Sequence, residues 1–272
     1  MTETPTVPGP IIVAGMHRSR TSAFALCLGH LGLDLGSRLL PADRWSPAGY
    51  GEDQGVIDLH RRALGVEDEY ATDGTSWPDW GWPPAVLEPR LLADDLDKYL
   101  CARVGNLAQD ALAWGWKDPR TTLFLRQWAR SCPSARFVLL YRSPIGVEVS
   151  LERLRFPLAV QARAQDIWAM YNARVVRFAK AERDRSIVIS TDAFLRSPTR
   201  VLQYVVDRLG MACDASDVQQ AVDNVLLDRL VRRSQLEDLN GEVTAAGEVT
   251  RIWNALEALD EAWPVIGHRP GW

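Results

Sequence analysis

Residues 10–22, Pro-Ile-Ile-Val-Ala-Gly-Met-His-Arg-Ser-Arg-Thr-Ser, constrain the fold of this chain more than any other segment. An apolar run, Ile11 to Ala14, ends at Gly15; a short polar loop follows; Thr21 and Ser22 then open an apolar helical pattern over Ala23–Leu33. A strand, a tight loop and a helix start bring backbone N–H groups and hydroxyls to one point, and that point suits an anion. The segment therefore predicts a phosphate-binding strand–loop–helix. It is not a Walker A loop, which needs Gly, four residues, then Gly-Lys-Ser/Thr. Counted from Gly15, the second Gly is Arg20 and the Lys is Thr21. The lysine that reaches the outer phosphates is missing, which weighs against phosphoryl transfer. Arg18 supplies a positive charge whose planar fork fits an oxyanion. Taken alone, the loop also fits a plain surface connection between a core strand and a core helix.

Four short apolar runs read as buried parallel strands: Pro10–Ala14, Ala111–Trp116, Arg136–Tyr141 and Ser186–Thr191. Helical patterns separate them: Ala23–Leu33, Leu91–Leu112, Ile145–Leu154 and Val160–Ala181, the last with Ile167, Tyr171, Arg174 and Phe178 at helical steps. Ser197 and Pro198 read as the start of a helix that Gly210 closes, and a last helix spans Ala245–Ala262. This alternation predicts an α/β fold, P-loop-like and three-layered, with a central parallel sheet flanked by helices. The 272 residues contain no repeat, linker or composition break, so they read as a single domain over 1–272. Residues 1–9 read as a flexible N-terminus. Residues 41–90, rich in Pro, Gly, Asp and Trp, read as an irregular lid or acceptor-side region.

Composition narrows the partners. A net charge of −4 weighs against a nucleic-acid coat but allows a local basic pocket. No apolar run is long enough to span a membrane, and the first ten residues lack the features of a secretory signal, so a cytoplasmic location is expected. Cys27, Cys101, Cys132 and Cys213 form no CxxC pair and are expected to be buried free thiols, with no zinc site. Eleven tryptophans are many for this length, and the stretch Trp77–Pro84 is barred by its prolines from regular helix or central strand. Its indoles either line an acceptor pocket or pack.

Ligands of such sheets sit beyond the carboxyl ends of the strands. His17 to Ser22 follow the first strand, Lys117-Asp118-Pro119-Arg120 the second, and Arg142-Ser143-Pro144 the third, with Ser150 two helical turns on. Arg18, Lys117, Arg120 and Arg142 are thus predicted to converge on one edge of an acidic protein, a second reason to expect a polyanionic ligand.

These residues resemble the sulfotransferases that use 3′-phosphoadenosine 5′-phosphosulfate (PAPS), most closely the bacterial members and the tyrosylprotein and carbohydrate branch. Gly15-Met-His-Arg-Ser-Arg-Thr-Ser22 resembles the family's 5′-phosphosulfate loop, usually Gly-x-x-Arg/Lys-Ser-Gly-Thr-Ser/Thr. Tyr141-Arg-Ser-Pro-Ile-Gly-Val-Glu-Val-Ser150 resembles its 3′-phosphate motif, and Trp116-Lys-Asp-Pro-Arg120 its Lys-Asp-Pro segment. Thr191-Asp-Ala-Phe-Leu-Arg-Ser-Pro198, before a helix ending in Leu-Gly210, is similar to the family's late segment. The match runs from about residue 10 to 235.

The resemblance implies a sulfotransferase that moves a sulfonate from PAPS to a hydroxyl of a small-molecule, glycan or glycolipid acceptor, yielding PAP. It assigns Arg18, Ser19, Arg20, Thr21 and Ser22 to the 5′-phosphosulfate end, with Arg18, Thr21 and Ser22 foremost. Arg142 and Ser150 fall to the 3′-phosphate, Lys117 to the transferring sulfonate, and Glu52 to the general base. Asp53 is the nearest alternative base; His60, on the amphipathic stretch Gln54–Leu64 from which it could face the pocket, ranks below Glu52; and Asp118 is expected to orient Lys117 or Arg120. His17 is expected to pack or cap, and His30 and His268 to be structural or exposed. The arginines of Leu227–Ser234, Arg232 among them, read as a solvated face. No metal is required. The departure is Arg20 where the family has Gly: it strains the loop if its φ is positive, or else keeps a helical φ and points outward or toward the ligand. A nucleotide-binding protein without activity and a small-molecule P-loop kinase are the other readings.

Overall fold

Five short strands, apolar on both faces, form one sheet in the computed structural model, which describes residues 9–43, 46, 48–66, 78–82, 90–107, 113–226 and 247–267. They are β1 (Ile11–Gly15), β2 (Leu33–Asp34), β3 (Ala113–Lys117), β4 (Arg136–Tyr141) and β5 (Ser186–Ser190). Their order is β2-β3-β1-β4-β5, with every pairing parallel. Helices cover both faces, and this is why the strands read as continuous apolar runs. Side chains alternate along each strand. Ile12 and Ala14 of β1 and Phe137, Leu139 and Tyr141 of β4 enter one core. Ile11, Val13, Val138 and Leu140 enter the other.

The first core is closed by α2 (Gln54–Leu64), α3 (Ala93–Gly105), α4 (Leu125–Ser131), α5 (Pro144–Arg153), α6 (Leu158–Gln161), α7 (Ala164–Ala181) and, late in the chain, α11 (Glu248–Leu259). The second is closed by α1 (Thr21–His30), α8 (Thr191–Arg196), α9 (Pro198–Leu209), α10 (Ala215–Leu226) and α12 (Ala262–Ile266). From β1 the chain runs outward to β2, returns to β3, then crosses β1 to reach β4 and β5. The carboxyl end of β1 is therefore the topological switch point, where a crevice opens. Gly15 ends β1 there, and a Cβ on it would overlap the Leu140 carbonyl oxygen, so only glycine lets the two strands meet at this level.

Several elements differ from the sequence expectations. α1 stops at His30, and Leu33 belongs to the edge strand β2, because the chain turns at Gly32 with φ 91. The helix predicted over Leu91–Leu112 is α3, ending at Gly105; residues 108–112 lie outside the described residues. The predicted Val160–Ala181 helix divides at Ala162–Arg163. α4 and α10 were not predicted, and the region 41–90 holds α2, an 11-residue helix with Val56, Ile57, Leu59 and His60 buried. Among the cysteines, Cys27 and Cys132 are buried, but Cys101 is exposed on α3 and Cys213 half-buried, so burial of all four does not hold. No helix among the described residues is long and apolar enough to cross a membrane.

Candidate active site

The loop after β1 is built on two left-handed residues, Arg18 at φ 67 and Arg20 at φ 58. Such values cost an L-residue about 1–2 kcal/mol. The loop holds them through its side chains. Arg18 Nε donates to Ser150 Oγ on α5 at 3.2 Å, and Arg142 Nη1 at the end of β4 donates to the Arg18 carbonyl at 3.2 Å. Arg20, the residue before α1, pairs through Nη1 with Asp192 Oδ1 at 2.6 Å. Asp192 lies in the first turn of α8, and its other oxygen accepts from the Ser143 N–H at 3.3 Å. Arg20 therefore neither keeps a helical φ nor swings outward. It adopts the backbone that glycine would adopt and ties the loop across the crevice. On α5, Gly146 leaves room for the Arg142 guanidinium, since a Cβ there would lie 2.6 Å from Arg142 Nε.

These contacts frame a cleft of about 220 Å³, lined among others by Arg18, Arg20, Thr21, Ser22, Arg142 and Ser150. Of the residues assigned to the donor, Ser19 alone is not in the lining; it is buried beneath the loop, with no hydrogen-bond partner for its hydroxyl among the described residues. The guanidinium groups of Arg18, Arg20 and Arg142, the hydroxyls of Thr21, Ser22 and Ser150 and the N-terminus of α1 thus meet in one concavity, an arrangement that fits phosphate and sulfate groups.

Behind Ser22 lies a buried charge network. Lys117, at the end of β3, donates from Nζ to Ser22 Oγ at 3.0 Å and to the Tyr50 carbonyl at 3.3 Å, and pairs with Glu52 Oε1. Glu52 sits just before α2. Arg120 Nη1 stands 3.9 Å from the other Glu52 oxygen and 2.8 Å from Asp118 Oδ1. Arg120 Nη2 reaches Asp79 at 2.6 Å. Burial pushes the Glu52 carboxyl above its ordinary range, opposed by the Lys117 ammonium. Against the cost of its own burial, the Arg120 guanidinium and the His60 ring hold Asp118 well below the usual carboxylate range.

The alternative bases are engaged elsewhere. Asp53 caps α2, accepting from the Gly55 N–H at 2.8 Å. His60 is fully buried and stacked on Phe124, with ring centroids 4.9 Å apart. Trp128 Nε1 donates to His60 Nε2 at 2.9 Å, which assigns the ring proton to Nδ1, facing Asp118 Oδ2 at 2.6 Å. Both nitrogens of His60 are occupied, and burial lowers its pKa. His17 stacks on Trp80 at 4.4 Å and meets the edge of Tyr171 at 5.9 Å. Burial, reinforced by the nearby Arg120 charge, pushes its pKa well below the ordinary histidine value. His30 is exposed, whereas Arg232 and His268 lie outside the described residues.

The tryptophan-rich segment contributes more than packing. Asp79 grips Arg120 while the Trp80 carbonyl accepts from Tyr171 Oη at 3.0 Å. Asp79 and Asp192 are the two acids that sequence reasoning passed over. The only local signal for either was its place in a segment already noted.

The architecture has counterparts among solved structures. The sulfotransferase domain from the curacin biosynthetic pathway superposes with a TM-score of 0.63 at 16% identity, over 92% of this chain and 98% of that one. The sulfotransferase domain of the Synechococcus PCC 7002 olefin synthase gives 0.55 at 19% identity, over 97% of each chain. A sulfotransferase from Mycobacterium avium gives 0.51 at 15% identity, over 94% and 78%. No family model and no curated protein matches the sequence. At these identities the likeness is one of architecture, and the chain has the fold of the sulfotransferase domains.

Proposed function

We propose that the protein is a PAPS-dependent sulfotransferase that transfers a sulfonate to a hydroxyl of a small-molecule, glycan or glycolipid acceptor, releasing PAP and a sulfate ester. The observation that carries this reading is the Glu52–Lys117 pair set against Ser22 at the inner end of a cationic cleft. The fold likeness supports it independently. PAPS, when bound, supplies an activated sulfonate on a phosphate leaving group. Arg18, Arg20, Thr21 and Ser22 with the α1 N-terminus hold the 5′ end, and Arg142 and Ser150 hold the 3′-phosphate.

Glu52 accepts the proton of the acceptor hydroxyl as its oxygen bonds to sulfur and the sulfur–oxygen bond to the leaving phosphate breaks. Lys117 and Ser22 meet the negative charge that develops on the bridging oxygen, in a buried setting where fixed donors act strongly. Asp118 and Asp79 grip the Arg120 guanidinium, which faces Glu52. His60, buttressed by Trp128, holds Asp118 in turn. The left-handed Arg20 favours an active enzyme over an inactive relative, because the loop conformation is kept despite the lost glycine. PAP release from PAPS in the presence of a panel of hydroxyl acceptors tests the proposal. Glu52→Gln is expected to cut turnover by about 10²–10⁴-fold while PAP still binds. Full activity in Glu52→Gln removes Glu52 as the base.

A further inference from the structure

The turn Pro78–Trp80 reaches the candidate base through the Arg120 guanidinium, which divides its donors among three carboxylates. Nη1 donates to Asp118 Oδ1 at 2.8 Å, Nη2 to Asp79 Oδ2 at 2.6 Å, and Nε to the Asp79 carbonyl at 3.1 Å. Glu52 receives what is left: its Oε2 stands 3.9 Å from Nη1, within ion-pair range but beyond a hydrogen bond. Against the cost of burial, Asp118, then Asp79, then Glu52 raise the pKa of Arg120. Asp79 and Glu52 therefore compete for one buried cation.

The seat of Asp79 is fixed from several sides. Arg61 Nε on α2 stands 3.3 Å from Asp79 Oδ1. The next residue, Trp80, accepts from Tyr171 through its carbonyl and stacks on His17. Lys117, Asp118 and Arg120 face Glu52 from the end of β3 and the turn after it. Tyr50 and Asp53 flank it in the chain, His60 and Arg61 follow on α2, Tyr99 approaches Asp53 from α3, and His17 and Arg18 stand on the loop after β1. In that setting the loss of one negative charge beside Arg120 makes the surroundings of Glu52 more positive. An added positive field stabilises a carboxylate and lowers its pKa.

We infer that Asp79 is a positioning residue for the sulfonate transfer: by holding Arg120 it keeps that guanidinium off the Glu52 oxygen that Lys117 does not hold, and leaves that oxygen to the acceptor hydroxyl. This rests on Glu52 being the base. The test titrates the ¹³C-labelled Glu52 carboxyl by NMR without donor or acceptor, its signal assigned by its loss in Glu52→Gln. Asp79→Asn is expected to lower the Glu52 pKa by roughly 1 pH unit. It is expected to cut kcat about tenfold or more with PAP affinity unchanged, since neither Asp79 nor Arg120 lines the donor cleft. Asp79→Glu keeps the charge and is expected to hold both values near those of the unaltered protein. Arg61→Gln loosens the same turn but removes a positive charge, so it is expected to leave the Glu52 pKa in place or raise it. A merely structural anchor predicts that Asp79→Asn and Arg61→Gln act alike, and their thermal midpoints report the shared loosening. A Glu52 pKa that Asp79→Asn leaves unchanged or raises, or that Arg61→Gln lowers, overturns the inference while Glu52 stands as base. The expected pKa shift together with full activity in Glu52→Gln instead overturns the base, and the role of Asp79 with it.

Discussion

Arg20 carries a backbone conformation that glycine adopts freely, and its partner explains how the chain tolerates it. The left-handed strain is about 1–2 kcal/mol, whereas breaking a buried ion pair costs roughly 3–5 kcal/mol. Arg20→Gly relieves the first and incurs the second, so a net destabilisation of roughly 2 kcal/mol is expected. Asp192→Asn in the Arg20→Gly background is expected to recover most of it, and urea unfolding of the four proteins of that cycle measures both effects. A more stable Arg20→Gly protein contradicts the pairing. Glu52 gives a second residue-scale expectation. As base it must be ionised, and burial raises its pKa, so activity falls as pH drops through that raised value. The acid limb of kcat/KM is expected above the ordinary glutamate value of about 4.3. A limb at or below that value contradicts a buried base. The sequence pointed to the arginines because each follows a strand. It could not show Asp192 or Asp79, since a salt bridge between residues 172 apart leaves no local pattern. Glu52 was named by resemblance, and its contact with Lys117, 65 residues on, is likewise visible only in three dimensions.

At the scale of elements, α2 sets the position of the candidate base. Asp53 caps the helix, and Glu52 is fixed immediately before it, with its carbonyl accepting from the Leu40 N–H at 2.8 Å. Asp53→Ala is expected to cost about 1 kcal/mol of stability and to lower kcat by displacing Glu52. Asp53→Asn keeps a capping oxygen and is expected to retain both stability and most turnover; loss of turnover in that variant with stability intact makes Asp53 the base instead. The strands β1, β3, β4 and β5 were legible because a strand covered on both faces is a continuous apolar run. β2 was not, because two residues have no period and Leu33 continues the helical spacing of α1. α4 was missed because seven residues carry too few repeats, while Val218, Ala221, Val222 and Val225 of α10 did hold a readable stripe. His60 sat on a legible amphipathic helix, yet which way its face turned depended on Trp128 and Phe124, supplied by distant chain.

In the whole molecule, one sheet order brings the ends of β1, β3 and β4 together, and an acidic protein thereby sets Arg18, Arg20 and Arg142 around one cleft with Lys117 behind Ser22. The account stands on that cleft holding a doubly phosphorylated adenosine. Calorimetric titration with PAP tests it most directly, comparing the unaltered protein with Arg142→Ala. One-to-one binding is expected, weakened about tenfold or more by Arg142→Ala, with a steep decline as salt rises. No heat of binding up to about millimolar PAP, a range worth only some 4 kcal/mol of affinity, contradicts the account, as does binding that Arg142→Ala leaves untouched.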